Sequence, residues 1–225
     1  MKIIPHKILS VIFLIFSTFL FSQEDVEDSI ISKICNDLPK HKNLSDNDKI
    51  RITFNLHLLE YIRKKEPTKR DSIYKSFESR LQSKCNKYMN IRDRLSKHKP
   101  GNWDYLKKIP ESKLTDKEIN EFKTTQNFYY IQKGGMKVNV IIKNNEWKDL
   151  FPDNTFSKLK LEWLTKTSFQ IEFIESNNIS RKGASRKGDK FIYNIIERNI
   201  DSYKLVVTTT QNNRIVSFNF YPKTE

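Results

Sequence analysis

A basic segment at 180–190 repeats four residues. Ser-Arg-Lys-Gly occurs at 180–183 and again at 185–188. The cations of this segment are Arg181, Lys182, Arg186, Lys187 and Lys190. Guanidinium and ammonium groups bind phosphate, sulfate or carboxylate through charge-assisted hydrogen bonds. These five residues are therefore candidate anion-binding residues, and the alternative is a solvated connection between two strands.

Other residue types with chemical potential do not form a recognisable site. The histidines, at positions 6, 41, 57 and 98, show no metal-ligand spacing, and none lies in the strand-forming half of the chain. Glu162 and Glu172 lie on consecutive predicted strands, as the acid pair of a glycosidase would, but their register favours the solvated face. Gly134-Gly135 is typical of a hairpin, since no helix follows it as a phosphate site requires. We predict no catalytic residue, no metal site and no cofactor.

The chain has two cysteines, Cys35 and Cys85. In an oxidising compartment an even number of cysteines predicts a disulfide. The bond would close a loop of about fifty residues and stabilise the fold by up to about 4 kcal/mol in the chain-entropy model. A free thiol for nucleophilic chemistry is then not expected.

The N-terminus is typical of a secretory signal peptide at 1–23. Lys2 and Lys7 precede an apolar run of about fourteen residues, shorter than the roughly twenty that span a bilayer. Its removal lowers the formal net charge from +14 to +12. We expect an exported protein, periplasmic or secreted, with no stable membrane span after cleavage. The basic charge favours an anionic partner such as an envelope component, and export argues against nucleic acid.

The first elements are helical. Apolar residues recur every three or four positions over 24–97, which predicts a helical region of three helices. Ser45 or Asp46 is a candidate helix cap, and Pro67 ends the second helix. Both cysteines lie on apolar stripes, so the disulfide would join the first helix to the third. Residues 98–122 are read as a linker with one short helix near 115–121.

The period changes to two over 123–225. Seven short strands at regular spacing predict an antiparallel β-meander, barrel-like or a curled sheet, and the fold class is α+β. A bulge is expected near Lys158, and 145–154 is read as a short helix or a flap. The predicted inward-facing residues are Val138, Val140, Leu161, Trp163, Phe169, Ile171, Phe173, Tyr193, Leu205, Val207 and Phe218. A small barrel is either filled by such side chains or has room for a ligand.

The C-terminal half also carries a resemblance. The segment LKLEWLTKTSFQIEFIESNN, a basic loop and then GDKFIYNIIERNIDSYKL provide it, through Trp163, Phe169, Glu175-Ser176-Asn177, Gly188, Ile195-Ile196 and Tyr203. This half resembles the lipocalin-like β-meander region of small exported proteins of Bacteroidetes-type bacteria, most of which have no assigned function. The resemblance implies a structural pattern and no catalytic residues.

Together these features favour an exported, non-enzymatic protein that binds a small apolar ligand or an envelope component. One alternative is a polyanion-binding protein that uses the basic 181–190 segment. A second alternative is a hydrolase whose site is not recognisable in the sequence.

Overall fold

The computed structural model describes residues 26–95, 103–132, 135–209 and 214–223. The predicted signal peptide at 1–23 and Gly134 of the predicted hairpin turn lie outside these residues. The chain divides into two compact units, Met1–Arg70 and Asp71–Glu225. This division differs from the predicted boundary after residue 97, because helices between Asp71 and residue 95 bond to the strand region.

Three α-helices lie in the described part of the first unit. Helix α1 covers 26–37 and continues as the 3-10 turn Leu38–Lys40, and α2 (Asp46–His57) and α3 (Leu59–Arg63) follow. The Ser45 hydroxyl accepts the backbone N–H of Asp48 at 3.2 Å, so the predicted cap is confirmed. His57 Nε2 lies 3.1 Å from Asp37 Oδ2, and this hydrogen bond lowers the pKa of Asp37.

The second unit has helices of different lengths. Helix α4 (Arg70–Lys84), which begins one residue before it, and α5 (Asn86–Leu95) replace the single predicted third helix, which is interrupted at Cys85. Helix α6 (Asp116–Thr124) confirms the short helix expected near 115–121, and a capping box between Thr115 and Glu118 begins it. Helix α7 (Ile179–Ala184) occupies part of the segment expected to be a loop. Sequence periodicity does not reveal α7, because six residues are too few to establish a helical repeat.

Eight antiparallel strands close into a barrel, and a ninth strand pairs at its side. The strands are β1 (Asp104–Leu106), β2 (Asn127–Ile131), β3 (Lys137–Lys143), β4 (Glu146–Leu150), β5 (Phe156–Trp163), β6 (Ser168–Ser176), β7 (Lys190–Arg198), β8 (Tyr203–Thr209) and β9 (Ile215–Pro222). From β2 to β9 each strand pairs with the next, and β9 pairs with β2 to complete the barrel. The short strand β1 pairs with the beginning of β9.

Strand β4 replaces the short helix or flap expected at 145–154, so that expectation is wrong. Asn144 and Asn145 both have positive φ, 53° and 58°. Two successive left-handed residues are the geometry of a tight type I′ hairpin, and asparagine tolerates it. The turn therefore sends the chain directly back as β4. The expected bulge is confirmed between Lys158 and Leu159.

Aromatic and aliphatic side chains fill most of the barrel interior. Eight of the eleven predicted inward-facing residues belong to the buried core cluster, and the other three, Trp163, Tyr193 and Val207, are partly buried and pack against it. At one end of the barrel Phe122 of α6 is 2 % exposed and contacts several core rings, those of Phe128, Trp163, Phe169, Tyr203 and Phe220. Helix α6 therefore closes this end.

Cys35 and Cys85 form the predicted disulfide. Among the described residues, none of the helices is both long and apolar enough to cross a bilayer.

Candidate functional site

A cavity lies inside the barrel towards the end opposite α6. Its volume is about 80 Å³. The lining residues are Trp103, Tyr130, Trp147, Asp149, Ser157, Leu159, Ile171, Phe173, Arg181, Ser185, Phe191, Tyr193 and Phe218. The wall combines apolar side chains with a guanidinium, a carboxyl group and several hydroxyls. This is the composition of a small-molecule site, in which a few polar groups orient the ligand.

Arg181 is the cation of this cavity. Helix α7 positions it, because the Asn178 side chain accepts the Arg181 backbone N–H at 3.1 Å and begins the helix there. The guanidinium Nη2 donates to the Tyr130 hydroxyl at 2.7 Å. It also lies 5.6 Å from the ring centroid of Phe151. A residue from the basic repeat thus faces the interior of the barrel.

Asp149 is the acid of this cavity and is 6 % exposed. The indole Nε1–H of Trp147, two residues earlier on β4, donates to Asp149 Oδ1 at 2.9 Å. Burial raises the pKa of Asp149, although Arg181, Trp147 and Tyr130 each act in the opposite direction. The energetic cost of burying this carboxylate is therefore only partly offset by its donors.

The hydroxyls of Tyr130 and Tyr193 remain protonated at neutral pH. Burial raises the pKa of both tyrosines, and Asp149 raises it further by charge repulsion. Arg181 acts in the opposite direction on both groups. Burial would lower the pKa of Arg181, but attraction to Tyr130 and Asp149 outweighs it, and the guanidinium remains charged.

Solvent reaches the cavity. Tyr193 faces the interior on β7 and is nevertheless partly exposed, and Arg181 and Ser185 are also partly exposed. An inward-facing barrel residue is reached by water through an end of the barrel. The cavity therefore has an entrance near the β6–β7 connection, which contains α7.

Helix α4 holds this connection in place. Arg80 Nη1 donates to Asp189 Oδ2 at 3.1 Å and to the Ala184 carbonyl at 3.3 Å. Ser83 Oγ donates to the same carbonyl at 2.9 Å. Gly183 lies so close to α4 that a Cβ atom added to it would be 2.4 Å from the Ser76 carbonyl oxygen. The position of Arg181 is thus determined by contacts on both faces of α7.

The five predicted anion-binding residues are not gathered at one place. Arg181 lines the cavity, whereas Lys182, Lys187 and Lys190 are exposed. Lys190 Nζ lies 3.9 Å from Glu172. The Arg186 backbone N–H donates to Asp189 Oδ2 at 2.7 Å. This hydrogen bond closes a turn and does not form an anion-binding site.

The acid pair considered in the sequence does not enter the cavity. Strand register pairs Glu162 with Gln170 and Glu172 with Lys160, in alternation with the inward-facing residues. Across the described residues there is no group of three His, Cys, Asp or Glu side chains that could hold a metal ion.

Sequence reasoning missed Tyr130, Asp149, Ser157 and Ser185. The sequence contained one signal for Asp149. If 146–150 is a strand, Asp149 lies on the same face as Trp147, two positions earlier, and therefore points inward. That segment was not recognised as a strand, so its carboxylate was not placed inside the barrel.

Comparison of the chain with protein-family models, with curated proteins and with solved structures finds no match.

Proposed function

We propose that this protein is an exported, non-enzymatic barrel that binds a small ligand in the cavity at the α7 end. The supporting observation is a charged guanidinium inside an otherwise densely packed barrel. In the described part of the chain, the Arg181 guanidinium makes one hydrogen bond, to the Tyr130 hydroxyl. A guanidinium has five N–H donors, so the Arg181 side chain has donors beyond the one bonded to Tyr130. A ligand with an acceptor group would bind to these donors.

The cavity volume limits the ligand. An apolar cavity of roughly 150 Å³ binds benzene, and one water needs about 10–15 Å³ of such volume. The cavity here measures about 80 Å³. The ligand is therefore a molecule of a few heavy atoms, or the terminal group of a longer molecule that extends through the entrance. The sequence led us to expect a small apolar ligand. The cavity favours a small ligand that also has a polar end.

Export is supported by two observations of different kinds. The N-terminal sequence is typical of a signal peptide, and the two cysteines form a disulfide. Fractionation of the producing cells tests this part of the proposal. A protein that stays in the cytoplasm with residues 1–23 attached would contradict it.

Ligand binding can be tested through Trp103 and Trp147, which both line the cavity. The purified mature chain is titrated with a panel of small carboxylates, alcohols and amines of two to six carbons. We expect at least one member to change tryptophan fluorescence with saturation and to raise the melting temperature. Arg181→Gln should weaken that effect, whereas the exposed neighbour Lys182→Gln should not. The absence of any saturable change across the panel would exclude the proposed function.

A further inference from the structure

The donor geometry of the cavity indicates one chemical class of ligand, and this inference rests on the proposed function. Nη2 of Arg181 binds the Tyr130 hydroxyl. In the described residues, Nε and Nη1 have no hydrogen-bond acceptor. Neither nitrogen is a buried atom without a partner, so solvent reaches both. The Nε–H and Nη1–H bonds point to different sides of the planar group, and each can donate to an oxygen of an anionic ligand such as a carboxylate.

One oxygen of the cavity's acid is already occupied by a protein donor. Asp149 Oδ1 accepts the Trp147 indole N–H, and Arg181 and Tyr130 both act to lower the pKa of this carboxyl group against the effect of burial. Asp149 is therefore held in the wall, and Arg181 is the charged group that remains for the ligand. The Arg181 guanidinium has no hydrogen-bond acceptor and is positively charged, so it would repel a protonated amine. This excludes a cationic head group at Arg181.

The charge balance favours a monoanion. The cavity contains one cation, Arg181, and a buried acid, Asp149, whose ionisation would repel an anionic ligand. A phosphate or sulfate dianion would bring a second negative charge that no described side chain in the cavity neutralises. The desolvation of a charge without a partner is unfavourable. A single carboxylate satisfies Arg181 and leaves no excess charge.

The remaining wall is apolar. Leu159, Ile171, Phe173, Phe191 and Phe218 line the cavity with Trp103, whose ring stacks on Phe218 at 4.5 Å between centroids. These apolar side chains offer no hydrogen-bond partner to a second polar group on the ligand. They favour a short hydrocarbon tail, since the burial of each methylene group against an apolar wall is favourable.

We infer that the cavity binds a small monocarboxylate, with its charged group on the N–H donors of Arg181 that have no protein acceptor and a short apolar tail against Trp103 and Phe218.

Calorimetry and tryptophan fluorescence can test this class directly. The wild-type mature chain is titrated with acetate, propanoate, butanoate and hexanoate, with the alcohol and the primary amine of each length, and with inorganic phosphate and sulfate. We expect one or more carboxylates to bind at least about tenfold more tightly than the alcohol of equal length, the ratio typical of a charge-assisted pair. Phosphate, sulfate and the amines should bind more weakly than that carboxylate.

Variants then assign the selectivity to Arg181. Arg181→Gln should reduce carboxylate affinity at least tenfold and bring it close to that of the alcohol. Arg181→Lys keeps the charge but loses the spread of N–H donors on the planar guanidinium, so it should weaken carboxylate binding while keeping the preference over alcohols. Lys182→Gln, on the next and exposed residue, should leave both affinities unchanged. The wild-type selectivity series decides the ligand class even if an Arg181 variant does not fold.

The possible failures are distinct. If alcohols bind as tightly as carboxylates, or if amines, phosphate or sulfate bind most tightly, the carboxylate inference is overturned while the small-ligand function stands. If carboxylates bind equally to wild type and to folded Arg181→Gln, the assigned position is overturned. If no compound of the series binds wild type, the proposed function and this inference both fail.

Discussion

Arg181 belongs to a four-residue repeat, yet it does not share the environment of its counterpart Arg186. The first repeat forms α7 and places its arginine inside the barrel, where it binds the Tyr130 hydroxyl. The second repeat forms a turn closed by Asp189. The two identical segments therefore have different structural roles. The cause is that the neighbours Asn178 and Asp189 bond to different backbone groups.

The two glycines of the repeat also differ in role. Gly183 makes a close approach to Ser76. Gly188 instead adopts a positive φ of 90°, a conformation that glycine adopts at little cost. The basic segment is thus tightly specified rather than a flexible connection.

Tyr130→Phe should destabilise the fold. The change removes the hydroxyl that contacts both Arg181 and Asp149 but keeps the ring. Hydrogen bonds to charged groups contribute about 1.5–3 kcal/mol, and we expect a loss of that size in the free energy of unfolding measured by urea denaturation. The matched control is Tyr129→Phe, the next residue on β2, whose ring stacks on Tyr221 at 4.8 Å. Equal effects of the two changes would contradict a special role for the Tyr130 hydroxyl.

Asp149→Asn should alter the pH dependence of stability. The folded-state pKa of Asp149 is raised above its ordinary value, mainly by burial. Its stabilising contribution is complete below the unfolded-state pKa of about 4 and is lost as the pH rises through the folded-state value. The variant lacks this loss, so its free energy of unfolding relative to wild type should be higher at pH 8 than at pH 5.

Asp153→Asn is the control for that measurement. Hydrogen bonds from Thr155 lower the pKa of Asp153, so its contribution is lost only as the pH falls below the ordinary value. The difference between Asp153→Asn and wild type should stay constant from pH 5 to pH 8. A constant difference for Asp149→Asn as well would show that the buried carboxyl group does not titrate in this range.

Helix α7 owes its position to α4, through backbone contact as well as side-chain hydrogen bonds. Gly183→Ala adds a methyl group 2.4 Å from the Ser76 carbonyl oxygen. Backbone atoms cannot move aside cheaply, so we expect a loss of about 1–3 kcal/mol in the free energy of unfolding, as for overpacking. That loss would occur although alanine favours a helix by about 1 kcal/mol over glycine.

Lys182→Ala controls for the helix itself, since Lys182 is exposed on α7 and a surface change of this kind stays within about 0.5 kcal/mol. Thermal unfolding of both variants provides the measurement. A Gly183→Ala protein as stable as wild type would show that α7 tolerates displacement from α4.

Helix α6 closes the barrel end that has no cavity. Phe122→Ala removes a ring packed at 5.1 Å from Phe128 and 5.0 Å from Tyr203, between centroids. Such truncations cost about 3–5 kcal/mol, which denaturant unfolding would detect. Binding of the carboxylate should persist while the protein remains folded, because the site lies at the other end.

Lys123→Ala is the neighbouring control for α6. Its ammonium lies 4.3 Å from the ring centroid of Trp163, a cation–π contact that contributes about 0.5–1 kcal/mol. The two variants should therefore differ clearly in stability. Similar losses for both would indicate that α6 contributes through its surface rather than through the buried ring.

The disulfide acts on the chain as a whole. In the chain-entropy model it stabilises the native state by limiting the conformations of the unfolded chain. The double variant Cys35→Ser/Cys85→Ser should lower the free energy of unfolding by up to about 4 kcal/mol. Wild type unfolded in the presence of a reductant should show the same loss, which serves as the control. Equal stability of the oxidised and reduced wild-type protein would contradict this contribution.

Much of the fold could be read from local patterns. The change from a helical period to alternation separates helices from strands, and alternation alone places Phe169, Ile171 and Phe173 on the inner face. The caps at Ser45 and Thr115 and the bulge after Lys158 also follow from short-range chemistry. These features were predictable because they depend on residues a few positions apart.

Closure of the barrel and the composition of its cavity depend on residues far apart in sequence. Arg181 and Tyr130 are separated by 51 positions in the chain and bond at 2.7 Å, and no local period predicts such a contact. The sequence thus determined the elements and the inward-facing strand residues. Pairing between distant strands and the packing of α7 on α4 decided which polar side chains share the cavity, because those contacts exist only in the closed barrel.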